Sequence, residues 1–143
     1  MSTAQEKWEY FGENDPYFAV STYDKFKSKN IDDSAKAEFF RSGEDQIAGV
    51  WQEISAHFDP AFKPKNALDF GCGVGRLVFP LAIHAETVYG VDISRPMLAE
   101  ARANAEQKGI SNVVFQQTEE FLAAKEPKFD LLHSSIVFQH IEP

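Results

Sequence analysis

Residues 66–77 read NALDFGCGVGRL, with glycines at three alternate positions, Gly71, Gly73 and Gly75, behind a short apolar run that carries Asp69. A glycine inside a helix or strand costs roughly 0.5–1 kcal/mol relative to alanine, because glycine loses more backbone entropy on folding. Glycines are therefore concentrated where the backbone turns tightly or where a ligand comes close to it. The stretch predicts a strand that ends in a ligand-binding turn and leads into a helix.

Downstream of this turn, short apolar runs alternate with helical patterns. We expect strands over residues 67–70, 87–91, 112–116 and 129–134, and helices over residues 76–85, 94–108, 118–125 and 136–141. Such alternation is typical of parallel sheets built from right-handed crossovers. Because the strands are apolar with little alternation, both faces of the sheet are expected to be covered. The sequence therefore predicts an α/β fold with a doubly wound parallel sheet, and it places the glycine turn at the ligand-binding edge.

Local signals mark several helix boundaries in this region. Ser94 is the expected N-cap of the helix over residues 94–108, and Gly109 is its expected stop. Thr118 is the expected N-cap of the next helix. Pro80 lacks an N–H group and is expected to bend the helix over residues 76–85.

The residues before the glycine turn are typical of an N-terminal helical cap. Aromatic and polar residues are interleaved in residues 1–30, and Asp15-Pro16 is expected to break this segment into short helices. A helical pattern follows over residues 33–58, with Asp33 or Ser34 as its N-cap and Gly43 as a candidate break between two helices. We assign residues 1–60 to this cap, or lid, and residues 61–143 to the core of a single domain.

Composition excludes several classes of protein. The 143 residues include 22 acidic and 14 basic side chains, a net charge of −8, which argues against a nucleic-acid partner. No apolar run approaches the roughly 18–20 residues of a membrane span, so no membrane partner is expected. Cys72 is the single cysteine, which rules out an internal disulfide and favours a reducing, cytoplasmic location. No residue pattern indicates a metal site.

A nicotinamide dinucleotide site is the main alternative for a glycine-rich turn of this kind. Its fingerprint, G-x-G-x-x-G, needs a third glycine where the helix packs closely. Counting from Gly71 places Arg76 at that position, and counting from Gly73 places Val78 there. The carboxylate of Asp69 would in addition repel a pyrophosphate. The dinucleotide interpretation is therefore less favoured.

The stretches DFGCGVG, VYGVDIS, FQQTEEF and FDLLHSSIVFQHI together resemble the class I S-adenosylmethionine-dependent methyltransferases, in the nucleotide-binding half of their Rossmann-like fold. The resemblance covers about residues 66–141, and DPYFAVST and FFRSG are similar to the cap that precedes the core in some members. It implies the strand order 3-2-1-4, S-adenosylmethionine as cofactor and S-adenosylhomocysteine as product. The acidic charge and the lid-like N-terminus favour a small-molecule methyl acceptor.

The resemblance also implies roles for individual residues. Asp69 would lie near the ammonium group of the cofactor, and Asp92 would accept hydrogen bonds from the ribose hydroxyls. Gln117 stands where the family usually has an acidic residue for the adenine amino group, and Glu119 is the alternative for that contact. His140 is the candidate catalytic base. The cofactor-binding candidates are Asp69, Gly71, Cys72, Gly73, Gly75, Asp92, Ile93, Met97, Gln117, Thr118, Glu119 and Ser134.

Other interpretations of single residues remain open. Asp92 also competes with Ser94 as a cap for the following helix, and Cys72 is more typical of packing than of a nucleophile. His133 is typical of a strand end without chemistry.

The resembled fold continues with three strands beyond the fourth, whereas this sequence stops shortly after it. An unpaired fourth strand would be an exposed apolar edge, which native proteins avoid. We therefore expect a fragment of a longer enzyme, or an edge covered by another chain, with self-association through this strand included. The alternative functions are a catalytically silent S-adenosylmethionine-binding module that needs a partner and, less favoured, an NAD(P)-binding oxidoreductase.

Overall fold

The computed structural model describes residues 3–124 and 127–140, and a four-stranded parallel sheet forms its centre. The strands are β1 (Asn66–Phe70), β2 (Thr87–Asp92), β3 (Val113–Gln117) and β4 (Leu131–His133). Their order is β3-β2-β1-β4, and every neighbouring pair is parallel. The predicted α/β class and strand order are confirmed. Each predicted strand is present, with ends displaced by no more than two residues.

Six α-helices in the described part of the chain connect or cover the strands. They are α1 (Thr3–Asn14), α2 (Pro16–Val20), α3 (Asp33–His57), α4 (Val78–Leu81), α5 (Arg95–Lys108) and α6 (Thr118–Ala123). Short 3₁₀ turns occupy Asp24–Phe26 and Phe138–His140. The break at Asp15-Pro16 is confirmed, as are both ends of α5. The Ser94 side chain accepts from the Met97 amide, and Gly109 ends the helix with φ of +66°.

Three helices have boundaries that differ from the prediction. The helix expected over residues 76–85 shrinks to α4, because turns occupy its flanks and Pro80 cannot donate to the Arg76 carbonyl. Asp32 caps α3, accepting from the Ala35 amide at 2.7 Å. Gln117 caps α6 in a reciprocal capping box with Glu120.

A 3₁₀ turn stands where a helix over residues 136–141 was expected. The predicted ends of the last two helices, at Lys125 and Ile141, lie outside the residues that the structure describes.

Gly43 does not interrupt α3, and that prediction was wrong. A Cβ atom at this position would lie 2.2 Å from the backbone oxygen of Arg76 and 2.8 Å from its Cγ. The glycine therefore allows α3 to pack directly against the turn that follows β1. Because residue 80 is proline, the Arg76 carbonyl lacks the helical donor it would otherwise have.

Two glycines of α3 provide a matched test of this packing. Gly43→Ala is expected to lower the free energy of unfolding by roughly 1–3 kcal/mol, because the new methyl group meets backbone. A Cβ atom at Gly49 would have no neighbour within 4 Å. Gly49→Ala should therefore raise the free energy of unfolding by about 1 kcal/mol through helix propensity. Denaturant unfolding followed by circular dichroism measures both values. Equal shifts in the two variants would contradict the packing argument.

One hydrophobic cluster joins the N-terminal helices to the sheet. It includes Tyr17, Phe26, Phe39, Phe40 and Ile47 from the N-terminal part and Val78, Leu81, Val88 and Phe115 from the core. The division at residues 60 and 61 remains a prediction. No helix in the described part of the chain is both long and apolar enough to cross a lipid bilayer.

Polar contacts add to this attachment of the N-terminal helices. The Tyr17 hydroxyl of α2 donates to Glu100 of α5 and lies 3.0 Å from Oδ1 of Asn104. The Asn104 side chain, 1% exposed, donates to the backbone oxygen of Val74 in the glycine turn. The cap is therefore connected to the turn through α5.

Candidate functional site

A cleft of about 550 Å³ opens at the carboxyl ends of the strands, where doubly wound sheets bind ligands. The N-terminal helices contribute Ala4, Trp8, Ala19 and Val20 to its lining. The ends of β1 and β2 and the segments that follow them contribute Asp69, Phe70, Gly71, Cys72, Gly73, Arg76, Leu77, Asp92, Ile93 and Met97. The segments after β3 and β4 contribute Thr118, Leu122, Ser135, Ile136, Val137 and His140.

The glycine turn is fixed to the end of β2. The amides of Gly71 and Cys72 donate to the Val91 carbonyl at 2.7 and 3.0 Å. Gly71 has φ of +77°, and a Cβ there would lie 2.2 Å from Val137. Gly75 has φ of +92°, and a Cβ there would lie 2.5 Å from the Phe79 ring. The turn therefore needs glycine at both positions, although Gly75 lies outside the lining of the cleft.

Asp92 ends β2 with its carboxylate directed at two backbone amides. Oδ2 accepts from Gly73 at 2.8 Å, and Oδ1 accepts from Ser94 at 2.9 Å. Burial raises the pKa of Asp92, while these hydrogen bonds act in the opposite direction. The carboxylate thus joins the glycine turn to the start of α5, and it retains lone pairs for further donors.

Asp69 lies at the centre of the sheet and is only 2% exposed. Its register partner on β4 is His133, and Oδ1 of Asp69 lies 2.8 Å from Nδ1 of His133. Burial raises the pKa of Asp69, while the hydrogen bond and charge of His133 and the charge of Arg76 act in the opposite direction. Sequence reasoning missed this role of His133. The contact between Asp69 and His133 depends on the pairing of β1 with β4, which the residue pattern around His133 does not show.

Ile93, Met97 and Thr118 form the wall of the cleft beyond Asp92. Gln117 and Glu119 lie outside the lining. The Gln117 side chain accepts from Nε of Arg95 at 2.8 Å and donates to the Ile93 carbonyl at 3.3 Å.

Ser134 also lies outside the cleft. Its hydroxyl donates to the Phe70 carbonyl at 2.9 Å, and Ser135 contributes to the lining instead.

Trp8 of α1 and His140 both line the cleft, and their rings are in contact. Their ring centroids lie 5.2 Å apart at an interplanar angle of 74°. Nε2 of His140 lies 3.1 Å from Nε2 of Gln139. Sequence analysis had assigned the N-terminal helices to a cap but had not singled out Trp8. The feature of the sequence that could have indicated Trp8 is its position in an aromatic helix that precedes the core.

Arg76 is a second residue that sequence analysis did not assign. The guanidinium group donates to Oγ of Ser42 at 3.2 Å and to Oε1 of Gln46 at 2.9 Å, both on α3. The Gln46 amide in turn donates to Ser135 at 3.1 Å. The signal in the sequence was an arginine directly after a glycine turn at the ligand-binding edge.

Cys72 lines the cleft as a protonated thiol. Burial, with the nearby carboxylates of Asp92 and Asp69, raises its pKa well above the ordinary value. A thiol of this kind is a poor nucleophile. Within residues 3–124 and 127–140, no group of three or more His, Cys, Asp or Glu side chains is placed to hold a metal ion.

Comparison with known proteins gives a consistent result. A family model described as a methyltransferase domain matches residues 62–142. The chain is 32% identical over 117 residues to the ubiquinone biosynthesis O-methyltransferase of Roseobacter denitrificans, covering 82% of this chain and 46% of that protein. It is 33% identical over 102 residues to the protein of the same name from Chelativorans sp., covering 67% and 40%. The chain therefore spans about half the length, or less, of these curated relatives.

A solved structure extends the similarity to nearly the whole chain. The magnesium protoporphyrin IX methyltransferase of Synechocystis PCC 6803, solved with bound SAM, is 25% identical with a TM-score of 0.60. The match covers 99% of this chain and 66% of that one. The N-terminal helices are therefore included in the shared architecture.

Proposed function

This chain belongs to the class I S-adenosylmethionine-dependent methyltransferases, and from that premise we propose that its cleft binds S-adenosylmethionine for methyl transfer to a small-molecule acceptor. The observation that carries the proposal is the convergence of the glycine turn and the Asp92 carboxylate at adjacent strand ends. When bound, the cofactor supplies a methyl group on its sulfonium sulfur. S-adenosylhomocysteine is the corresponding product.

The residues of the cleft fit this cofactor. Gly71 has no side chain at the glycine turn, where a Cβ atom would collide with Val137. Asp92 offers acceptors of the kind that two ribose hydroxyls need, and Ile93 and Met97 offer an apolar wall for adenine. Asp69 provides the negative charge that suits an ammonium group. The Asp69 carboxylate favours this ligand over a dinucleotide, whose pyrophosphate it would repel.

Alignment and exclusion of water are the contributions expected from the protein. We place the acceptor at the end of the cleft bounded by Trp8, Ile136 and His140, whose lining is largely apolar. The relatives named as O-methyltransferases support an oxygen as the accepting atom. His140 is then the candidate base for a hydroxyl proton.

Three further expectations belong to this proposal. Self-association would use the edge of β4, where Leu132 is 70% exposed. The cytoplasm is the proposed location, on the basis of the single cysteine. Residues 1–60 act as the cap over the cofactor, and the remaining residues act as the core.

The test is a calorimetric titration of the chain with S-adenosylhomocysteine and, separately, with NAD⁺. We expect saturable binding of the sulfur ligand and none of the dinucleotide. A turnover assay with a panel of small hydroxyl-bearing acceptors then compares the wild type with His140→Gln, which should lose rate while keeping ligand affinity. Tighter binding of NAD⁺ would overturn the proposal, and binding without turnover on any acceptor would favour the silent module.

A further inference from the structure

Ile136, which lines the cleft shortly after β4, has a strained backbone. Its φ is +60°, and within residues 3–124 and 127–140 it is the one non-glycine residue with a positive φ. This left-handed region is unfavourable for L-residues and especially so for a β-branched side chain. Asparagine and aspartate tolerate it better. Such strain persists only where surrounding contacts impose it, and it is concentrated at functional sites.

The residues that precede Ile136 are fixed to other elements. The Ser134 hydroxyl donates to the Phe70 carbonyl at the end of β1, at 2.9 Å. The Ser135 hydroxyl accepts from the side-chain amide of Gln46 on α3, at 3.1 Å. The chain therefore enters position 136 from a direction that β1 and α3 determine.

The residue that follows Ile136 is fixed as well. Val137 packs so closely on the glycine turn that a Cβ atom at Gly71 would lie 2.2 Å from its Cγ2. The Val137 carbonyl accepts from the His140 amide at 2.9 Å. These contacts are made by the neighbours of Ile136 and not by its own side chain. They account for the backbone conformation, but they do not account for isoleucine at this position.

The side chain of Ile136 is exposed although it belongs to the cleft. It is 73% exposed, and Leu122 of α6, which also lines the cleft, is 72% exposed. Apolar surface of this kind becomes favourable only when a ligand removes it from water. Isoleucine is thus unfavourable here on two counts in the free protein, and contact with a ligand would explain its presence.

We propose that Ile136 is a specificity-determining residue that selects methyl acceptors whose hydroxyl group is attached to an uncharged, apolar portion. The inference rests on the proposed function and deepens it by naming the class of acceptor. The apolar portion of the acceptor packs against Ile136 and Leu122. Burying the equivalent of one or two methylene groups at this contact changes affinity by roughly 4- to 15-fold.

Two probes test this selection, 1-hexanol and 6-hydroxyhexanoate. Both have a primary hydroxyl group on a six-carbon chain, and they differ in having a methyl group or a carboxylate at the far end. Ligand-observed NMR titrations give both dissociation constants for the chain saturated with S-adenosylhomocysteine. The wild type should prefer 1-hexanol, and Ile136→Asn should reduce that preference by roughly 4- to 15-fold.

Ile136→Asn has a second expected effect, on stability. Asparagine tolerates a positive φ, and the change removes a side chain that is mostly exposed, so the midpoint of urea unfolding should move to higher urea. Ile83 is the matched control, because it is 77% exposed, lies outside the cleft lining and has no positive φ. Ile83→Asn should leave the preference unchanged and should not raise the midpoint.

The outcome that overturns the inference differs from the one that overturns the proposed function. If Ile136→Asn keeps the full preference for 1-hexanol, or lowers the urea midpoint, Ile136 has a packing role and the inference is wrong. Equal reductions of the preference in the Ile136 and Ile83 variants would also overturn it. A wild type that binds S-adenosylhomocysteine without preferring 1-hexanol contradicts the inference alone. A wild type that does not bind S-adenosylhomocysteine contradicts the proposed function.

Discussion

Asp92→Ala should weaken S-adenosylhomocysteine binding by a factor of roughly 10² to 10⁴, because two charge-assisted hydrogen bonds of about 1.5–3 kcal/mol each are lost. In the proposed complex these bonds join the carboxylate to the ribose hydroxyls. The change also releases the amides of Gly73 and Ser94, which Asp92 holds at 2.8 and 2.9 Å. Part of the loss of affinity is therefore expected to come from a less rigid glycine turn. A control variant is needed to separate this effect from the loss of the ribose contacts.

Asp130 provides that control. Its Oδ2 accepts from the amides of Lys65 and Asn66 at 2.7 and 3.3 Å, at the opposite end of β1 from the cleft. Asp130→Ala removes a carboxylate that accepts hydrogen bonds from two backbone amides, as Asp92 does, but it leaves the proposed ribose site unchanged. Calorimetry should show near wild-type affinity for Asp130→Ala. Equal affinities in the two variants would contradict the role given to Asp92.

Asp69→Asn should stabilise the fold at neutral pH while weakening S-adenosylhomocysteine binding by roughly 10- to 150-fold. Burial raises the pKa of Asp69 above its ordinary value of 3.8, so ionisation of this carboxyl is less favourable in the folded protein than in the unfolded chain. The stability that this preference contributes is complete below pH 3.8 and is lost as pH rises through the folded pKa. Asparagine carries no charge, and its oxygen can still accept from His133.

The stability difference between Asp69→Asn and the wild type should therefore grow with pH and then level off. Urea unfolding across a pH series measures it. Asp24→Asn is the control, and it should not stabilise the fold at neutral pH. The hydrogen bond from Lys27 lowers the pKa of this exposed carboxyl, so folding favours its ionised form. If Asp69→Asn is less stable than the wild type at neutral pH, the Asp69–His133 ion pair outweighs the cost of burial.

Local features were predictable from the sequence because their causes are local. Ser94 and Gly109 bound α5 through contacts within a few residues, and Asp15-Pro16 separates α1 from α2 in the same way. The strand order came from the family resemblance. Periodicity alone predicts strands but does not say which strands are neighbours.

The errors and omissions arise from contacts between distant residues. The sequence predicts a break at Gly43 because the packing partner of this glycine, Arg76, is 33 positions away. His133 was assigned no chemistry because Asp69 is 64 positions away. The assignment of Gln117 to the adenine site stays a prediction; its side chain caps α6 and accepts a hydrogen bond from Arg95. For Gly43 and His133, tertiary packing decided what local pattern could not.

The link from Tyr17 through Asn104 to the Val74 carbonyl limits how this chain could be re-engineered, if it acts as proposed. A chimaera that takes its segment before α3 from a relative, in order to accept a different substrate, would place a foreign side chain against Glu100 and Asn104. Unless those two residues are exchanged as well, the graft would disturb the cofactor loop together with the acceptor pocket. Acceptor choice and cofactor affinity are therefore expected to change together in such hybrids.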